Sequence, residues 1–234
     1  MHEELFALPI LSIVSDFVCP WCFIGKARLD AALAQMPADA RPQIRYLPFK
    51  LNPDMPAQGM ARADYREKKF GSKERSDELD AQVREAAEES GIAIHHDKMM
   101  RTPNTLKAHM LMAMASSLKS DEGDASIKLA DLLFQAYFVE GKDIGEDDVL
   151  LELADEAGLP VEVATAALAD EELTSATHNL ADGLAGQGVS GVPTLLLDQH
   201  FLISGAVPTD DLVRIIPEAI DILKKAAESA PSTH

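Results

Sequence analysis

The chain has 234 residues, 47% hydrophobic and 26% charged, with 13 glycines and 13 prolines. That is a globular composition, long enough for a sizeable core and unlike that of a disordered or low-complexity chain. Its 21 basic and 39 acidic residues leave a net charge of −18, a field that repels phosphate backbones and anionic lipid, so neither nucleic acid nor a membrane surface is an expected partner. The N-terminal stretch carries Glu3 and Glu4 where a secretory signal carries basic residues, and the apolar run Ile10–Val14 is shorter than a signal core. No run nears the roughly 18 apolar residues of a membrane span. A soluble cytoplasmic protein is the expectation.

The first element is a strand. Leu11–Val14 is apolar and partly β-branched, bounded by Ser15 and Asp16, and the segment Cys22–Gln35 that follows spaces its apolar residues as a helix does. Between them lies Cys19-Pro20-Trp21-Cys22, which holds the only two cysteines of the chain. Chance would place two scattered cysteines three apart roughly once in a hundred sequences, so the spacing carries information. Zinc needs two further ligands, and the one close histidine pair, His95-His96, is adjacent and poorly suited to chelation. A redox dithiol fits better, since a cytosolic protein with two cysteines holds a catalytic disulfide more readily than a structural one. Pro20 falls at the first helical position, where its missing N–H costs nothing, and Cys19 faces the positive end of the helix dipole, which favours a thiolate there. Cys19 is thus expected to be the more exposed nucleophile and Cys22, one turn in, the buried resolving thiol. Asp16 either accepts a proton during resolution or caps the junction. Pro20 and Trp21 offer the thiolate no polar partner beyond the helix terminus and Lys26 reads as a solvated ammonium that adds little, so the reduction potential is expected between about −270 and about −120 mV.

Gln43–Phe49 reads as a second strand, after which Pro53 and Pro56 mark a change of composition. Helices are then expected over Met60–Phe70, Glu74–Ser90, Thr105–Leu118, Ala125–Val139, Asp147–Ala157, Val161–Leu168 and Glu171–Ala185, several of them closed by glycine. About 125 residues with such periods are too many for a loop and call for a core of their own. Met99, Met100, Met110, Met112 and Met114 either line an adaptable groove or fill the core, and His109, on the same helix, either approaches the thiols or is simply packed. The acidic blocks Asp121–Asp124 and Glu146–Asp148 read as helix starts. Gly191-Val192-Pro193-Thr194 leads into a hairpin of Leu195–Leu197 and Phe201–Gly205, whose turn lacks glycine. Pro193 either begins an edge strand in trans or forms a cis bond that presents the Val192 backbone to an extended substrate. A last helix spans Thr209–Lys224.

Cys19-Pro20-Trp21-Cys22 together with Gly191-Val192-Pro193-Thr194 resembles the thioredoxin-fold oxidoreductases of the DsbA type. More narrowly, Pro48-Phe49-Lys50-Leu51-Asn52-Pro53, Thr102-Pro103-Asn104-Thr105, Leu133-Phe134-Gln135-Ala136-Tyr137-Phe138 and Gly188-Val189-Ser190-Gly191-Val192-Pro193 are similar to the FrnE-like branch, labelled polyketide-biosynthesis dithiol-disulfide isomerase. The resemblance runs from about Leu11 to about Ile222. It implies an α/β chain with a thioredoxin fold and a large all-helical insertion: residues 1–58 and 186–234 would form the thioredoxin-like domain and 59–185 the insertion. It implies Cys19 and Cys22 as catalytic, and Pro20, Trp21, Val192 and cis Pro193 as substrate-binding. Asp16, Asn52, Asn104 and His109 stand as auxiliary candidates. No metal or organic cofactor is needed. The expected partners are a disulfide-bearing protein or small molecule and, as recycling thiol or co-substrate, glutathione or another dithiol protein. Two rival readings remain: a glutathione-dependent isomerase or transferase similar to the 2-hydroxychromene-2-carboxylate isomerase and kappa-class relatives, which typically carry serine in place of Cys19, and a Met-rich holdase without redox function.

Overall fold

The computed structural model describes residues 8–118 and 124–229; the reading of residues 1–7 and the first three residues of the block Asp121–Asp124 lie outside them. The central strand β1 (Ile10–Ser15) pairs in parallel with β2 (Gln43–Pro48) on one side and antiparallel with β5 (Thr194–Leu197) on the other, with β6 (His200–Ser204) outermost. A parallel pair needs a crossover, and helix α1 (Pro20–Ala34) supplies it. β1 is covered on both faces, which is why its sequence is a continuous apolar run rather than an alternation. Leu11 and Ile13 pack with Leu195 and Leu197 against α1 and against helix α9 (Thr209–Ser229), through Leu212 and Ile216. Val14 and Leu196 point the other way, to Leu184 of helix α8 (Glu171–Gly186). Helix α9 runs beyond the expected Lys224 and passes through Pro217.

The hairpin turn is Asp198-Gln199, with φ of 44° and 69°, the twist that a two-residue hairpin turn demands and that glycine usually supplies. Asp198 tolerates it because it is tied down: its Oδ1 accepts from Ile10 N at 2.8 Å and its own N–H donates to Ile10 O at 3.0 Å. A local motif without glycine is thus set by a partner 188 residues away.

Between β2 and α8 the chain forms β3 (Met60–Ala61), α2 (Arg62–Phe70), α3 (Lys73–Glu89), β4 (Arg101–Thr102), α4 (Leu106–Ser117), α5 (Ala125–Gln135), α6 (Asp147–Glu156) and α7 (Val161–Leu168). Two expectations are corrected. Met60 and Ala61 do not begin α2 but pair antiparallel with Thr102 and Arg101, a two-residue ladder too short to leave a periodic signal. The helix expected over Ala125–Val139 changes pitch after Gln135 into a π-helical turn, Ala136–Glu140, in which consecutive Ala136, Tyr137 and Phe138 all face inward. The acidic residue Asp124 caps α5, accepting from Ser126 N at 2.9 Å.

This helical stretch packs on the cysteine-bearing end of α1. Phe17 lies 5.0 Å from Phe134 of α5, and Phe23 lies 5.4 Å from Phe134 and 5.6 Å from Phe138. Phe17, Cys19, Cys22 and Ile24 belong to one continuous apolar cluster with Leu129, Leu133 and residues of α6 and α7. At the other flank of α1, Gly25 lets the helix approach the strand-entry loop: a Cβ there would meet Pro193 Cγ at 2.8 Å.

Candidate active site

Cys19 is the N-cap of α1, with Pro20 at the first helical position, no side-chain cap and no acidic residue in the first turn. The positive end of the helix is therefore left to the sulfur. The Cys19 N–H donates to Asp16 O at 3.0 Å, closing the turn that brings the chain off β1. Across from it stands the loop before β5, where the Val192–Pro193 peptide bond is cis and Val192 O lies 3.8 Å from Cys19 Sγ. Both cysteines are reduced and buried, Cys19 at 4% and Cys22 at 2% exposure. The expected contrast in exposure is therefore absent; the residue that is open is Trp21, at 40%.

The contrast lies in the neighbours. Burial pushes the Cys22 thiol well above its ordinary pKa, and the adjacent Cys19 adds to the rise; Ser15 and the Asp16 backbone oppose it. One turn on, Lys26 is not a solvated ammonium: only 6% of its side chain is exposed, and it is bridged to Asp30 at 2.6 Å and to Asp131 of α5. Burial opposes its charge, but the two carboxylates outweigh burial and raise its pKa. Tyr46 on β2 feels the same group, its phenol raised by burial first and then by Asp30, Asp131 and Cys22. Asp131 lies 105 positions beyond Lys26, which is why no local pattern disclosed the arrangement.

Cys19 opens onto a cavity of about 330 Å³. Pro20, Trp21 and Val192 are among its lining residues; Pro193 is not part of the lining but packs behind, against Gly25. Another wall is the face of α2 carrying Arg62, Arg66 and Lys69. Asp80 of α3 bridges Arg62 at 2.7 Å and Arg66 at 2.6 Å, and Arg66 is further pinned by Ser76 Oγ and O, both at 2.8 Å. His96 adjoins Asp80 at 3.6 Å, with its pKa lowered to about 4, chiefly by burial, so it is neutral near pH 7. Sequence reasoning missed this wall. Its signal was present as three cations at i, i+4 and i+7 in an otherwise acidic chain.

The auxiliary candidates separate. Asp16 is 1% exposed and caps no helix; its Oδ2 accepts from Leu51 N at 2.7 Å and its Oδ1 weakly from Val18 N, which holds the loop after β2 beside the dithiol. His109 turns to Phe49 O at 3.1 Å and lies 3.8 Å from Asp16, its ring 5.2 Å from Phe17 and its pKa lowered by burial. It borders a separate cavity of about 260 Å³ between β2, α4 and α8. Asn52 accepts from Tyr65 OH and Lys69 Nζ, both at 2.8 Å, and so props the cationic wall. Asn104 donates to Met55 O at 2.8 Å and accepts from Leu106 N at 3.0 Å, a loop tie at the start of α4. Of the five methionines singled out, Met99, Met110 and Met112 are buried, while Met100 is 73% exposed; of these five, Met99 alone borders the Cys19 cavity.

Comparison with known proteins bears on the family and the fold. The Bacillus subtilis (strain 168) protein YwbO is 25% identical over 210 residues, 89% of this chain and 96% of that protein. The crystal structure of the "probable DsbA oxidoreductase SCO1869" from Streptomyces coelicolor superposes with a TM-score of 0.77 at 26% identity, covering 97% of this chain and 93% of that one. The cytosolic disulfide reductase DsbM from Pseudomonas aeruginosa, determined with GSH, shares the fold with a TM-score of 0.59 at 19% identity, over 94% and 100% of the two chains. The model of the DSBA-like thioredoxin domain matches residues 10–216, a span holding both cysteines and the loop that faces them, and the chain therefore belongs to the DSBA-like thioredoxin-domain family.

Proposed function

We propose that this oxidoreductase or isomerase works as a dithiol enzyme in the cytoplasm, exchanging disulfides through a mixed disulfide on Cys19. The observation that carries the reading is the pair itself: two reduced cysteines one turn apart at the start of α1, with Val192 O 3.8 Å from Cys19 Sγ. The Cys19 thiolate attacks one sulfur of a substrate disulfide and expels the other half as a thiolate. Cys22 then gives up its proton and attacks Cys19 Sγ, releasing the second thiolate; two electrons have passed from the dithiol to the substrate. Glutathione or another dithiol protein returns the Cys19–Cys22 disulfide to the dithiol. The cis loop offers the Val192 backbone to an extended stretch of substrate, and no metal or organic cofactor takes part. In this reading residues 1–58 and 186–234 form the redox unit, and the helical stretch 59–185 supplies another wall of its cavity.

The test is trapping. Cys22→Ala removes the resolving thiol, so substrates should accumulate on Cys19 as mixed disulfides identifiable by mass. An enzyme whose Cys19 gathers no adduct from any disulfide offered would overturn the reading.

A further inference from the structure

We infer that the cavity beside Cys19 selects small disulfides that carry carboxylates, held by the cationic face of α2. The inference rests on the dithiol reading above and names its substrate class.

Access comes first. Cys19 is 4% exposed, and its way out is a cavity of about 330 Å³ with Trp21 on its lining. A molecule of drug-like size or smaller fits such a cavity and reaches the sulfur through it. Charge comes second. Apart from the reacting Cys19 itself, the ionised side chains of the lining are Arg62, Arg66 and Lys69 against Asp80, three cations and one carboxylate, an excess of +2. His96 adds no positive charge near neutral pH, because its pKa is about 4. The whole chain carries −18, so a cationic wall at the reactive sulfur runs against the general field and concentrates an anion where the exchange occurs. Geometry comes third. Asp80 and Ser76 hold the two guanidinium groups in place. Lys69 is held by neutral oxygens, Asn52 Oδ1 at 2.8 Å and Tyr65 OH at 2.7 Å, so its charge stays available. A carboxylate on the substrate meets Arg62, Arg66 and Lys69, which share the lining with Cys19, while its disulfide lies at Cys19, and the steps and electron count are those given above.

A matched series of aliphatic disulfides tests this with the reduced full chain in single turnover, followed by the fluorescence of its one tryptophan, Trp21. The probes are 3,3′-dithiodipropionate (a dianion), 2-hydroxyethyl disulfide (neutral) and cystamine (a dication). Each rate is divided by that of the same disulfide with dithiothreitol. The dianion should lead the neutral probe by about tenfold and cystamine should trail both. Lys69→Gln, on the exposed side of the wall, should shrink the dianion-to-neutral ratio about threefold or more, and Arg62→Gln should do the same. A merely structural defect would slow all three probes together and leave the ratio in place. A flat series, or a ratio unmoved in both variants, overturns the inference while neutral turnover still supports the dithiol reading. Failure of all three probes to oxidise the dithiol overturns both.

Discussion

Cys19 and Cys22 are almost equally buried, at 4% and 2% exposure, yet they stand in different company. Cys19 faces a carbonyl, an open cavity and the free end of a helix. Cys22 faces Ser15, the Asp16 backbone and Cys19 itself, with the Lys26, Asp30, Asp131 and Tyr46 group close behind. The lesson is that neighbours, not accessible area, divide the labour between two thiols one turn apart.

The sharpest way to break that division is to remove each thiol in turn. Cys19→Ser should lower turnover of a dye-labelled disulfide by about a thousandfold or more, since a hydroxyl of ordinary pKa is a poor nucleophile near neutrality. Cys22→Ala should still form the mixed disulfide. Equal losses of the first step in both variants would erase the distinction.

The second prediction concerns pH. Release of product needs the Cys22 thiolate, and because burial raises that thiol, the release rate should climb about tenfold per pH unit between roughly pH 6 and 8. Iodoacetamide should correspondingly modify Cys19 before Cys22. A release rate that levels off by pH 6, measured by quenched-flow mass spectrometry, would contradict the raised value.

Gly25 sets how closely the Cys19 helix approaches the loop that carries Val192. Gly25→Ala places a methyl group 2.8 Å from Pro193 Cγ, and overpacking of this kind should cost about 1–3 kcal/mol in urea unfolding and reduce turnover. Gly183, inside α8, is the matched control, because a Cβ there meets nothing within 4 Å. Gly183→Ala should stabilise the protein by about 0.5–1 kcal/mol through helix propensity alone, the smallest effect predicted here.

Between these in size lies an acid effect touching both sides of the site. His96, near the cavity, titrates at about 4 rather than 6.5, and His109, bonded beside Asp16, is also lowered, both chiefly by burial. The unfolded chain therefore binds more protons than the folded one between about pH 6.5 and 4, and stability is lost as pH falls through that window. Urea midpoints should drop across it, and His96→Gln should flatten the slope. A midpoint constant from pH 6.5 to 4 would refute the assignment.

Much of the architecture was legible because its signals are local. The strand before Cys19, the helix after it and the hairpin after Pro193 each follow from periodicity and punctuation, and Gly71, Gly91 and Gly141, at φ of 86°, 73° and 76°, lie where helices stop. The pairing of Met60–Ala61 with Arg101–Thr102 was not legible, since two residues make no period. Nor was the pitch change at Ala136, which serves the burial of an aromatic group against α1.

The amino-acid sequence by itself determined the dithiol, its place at a strand-to-helix junction and the helical character of the middle of the chain. These are matters of neighbouring residues, where spacing and backbone preference act directly. Only the tertiary structure decided that Lys26 is buried between Asp30 and Asp131, that both cysteines are almost equally buried, that the Val192–Pro193 loop faces Cys19, and that Arg62, Arg66 and Lys69 share a cavity with Cys19. Burial and electrostatic partnership depend on which distant segments meet, and a helix face that reads as solvated cations in isolation becomes the wall of a cavity once α1 and α3 close around it.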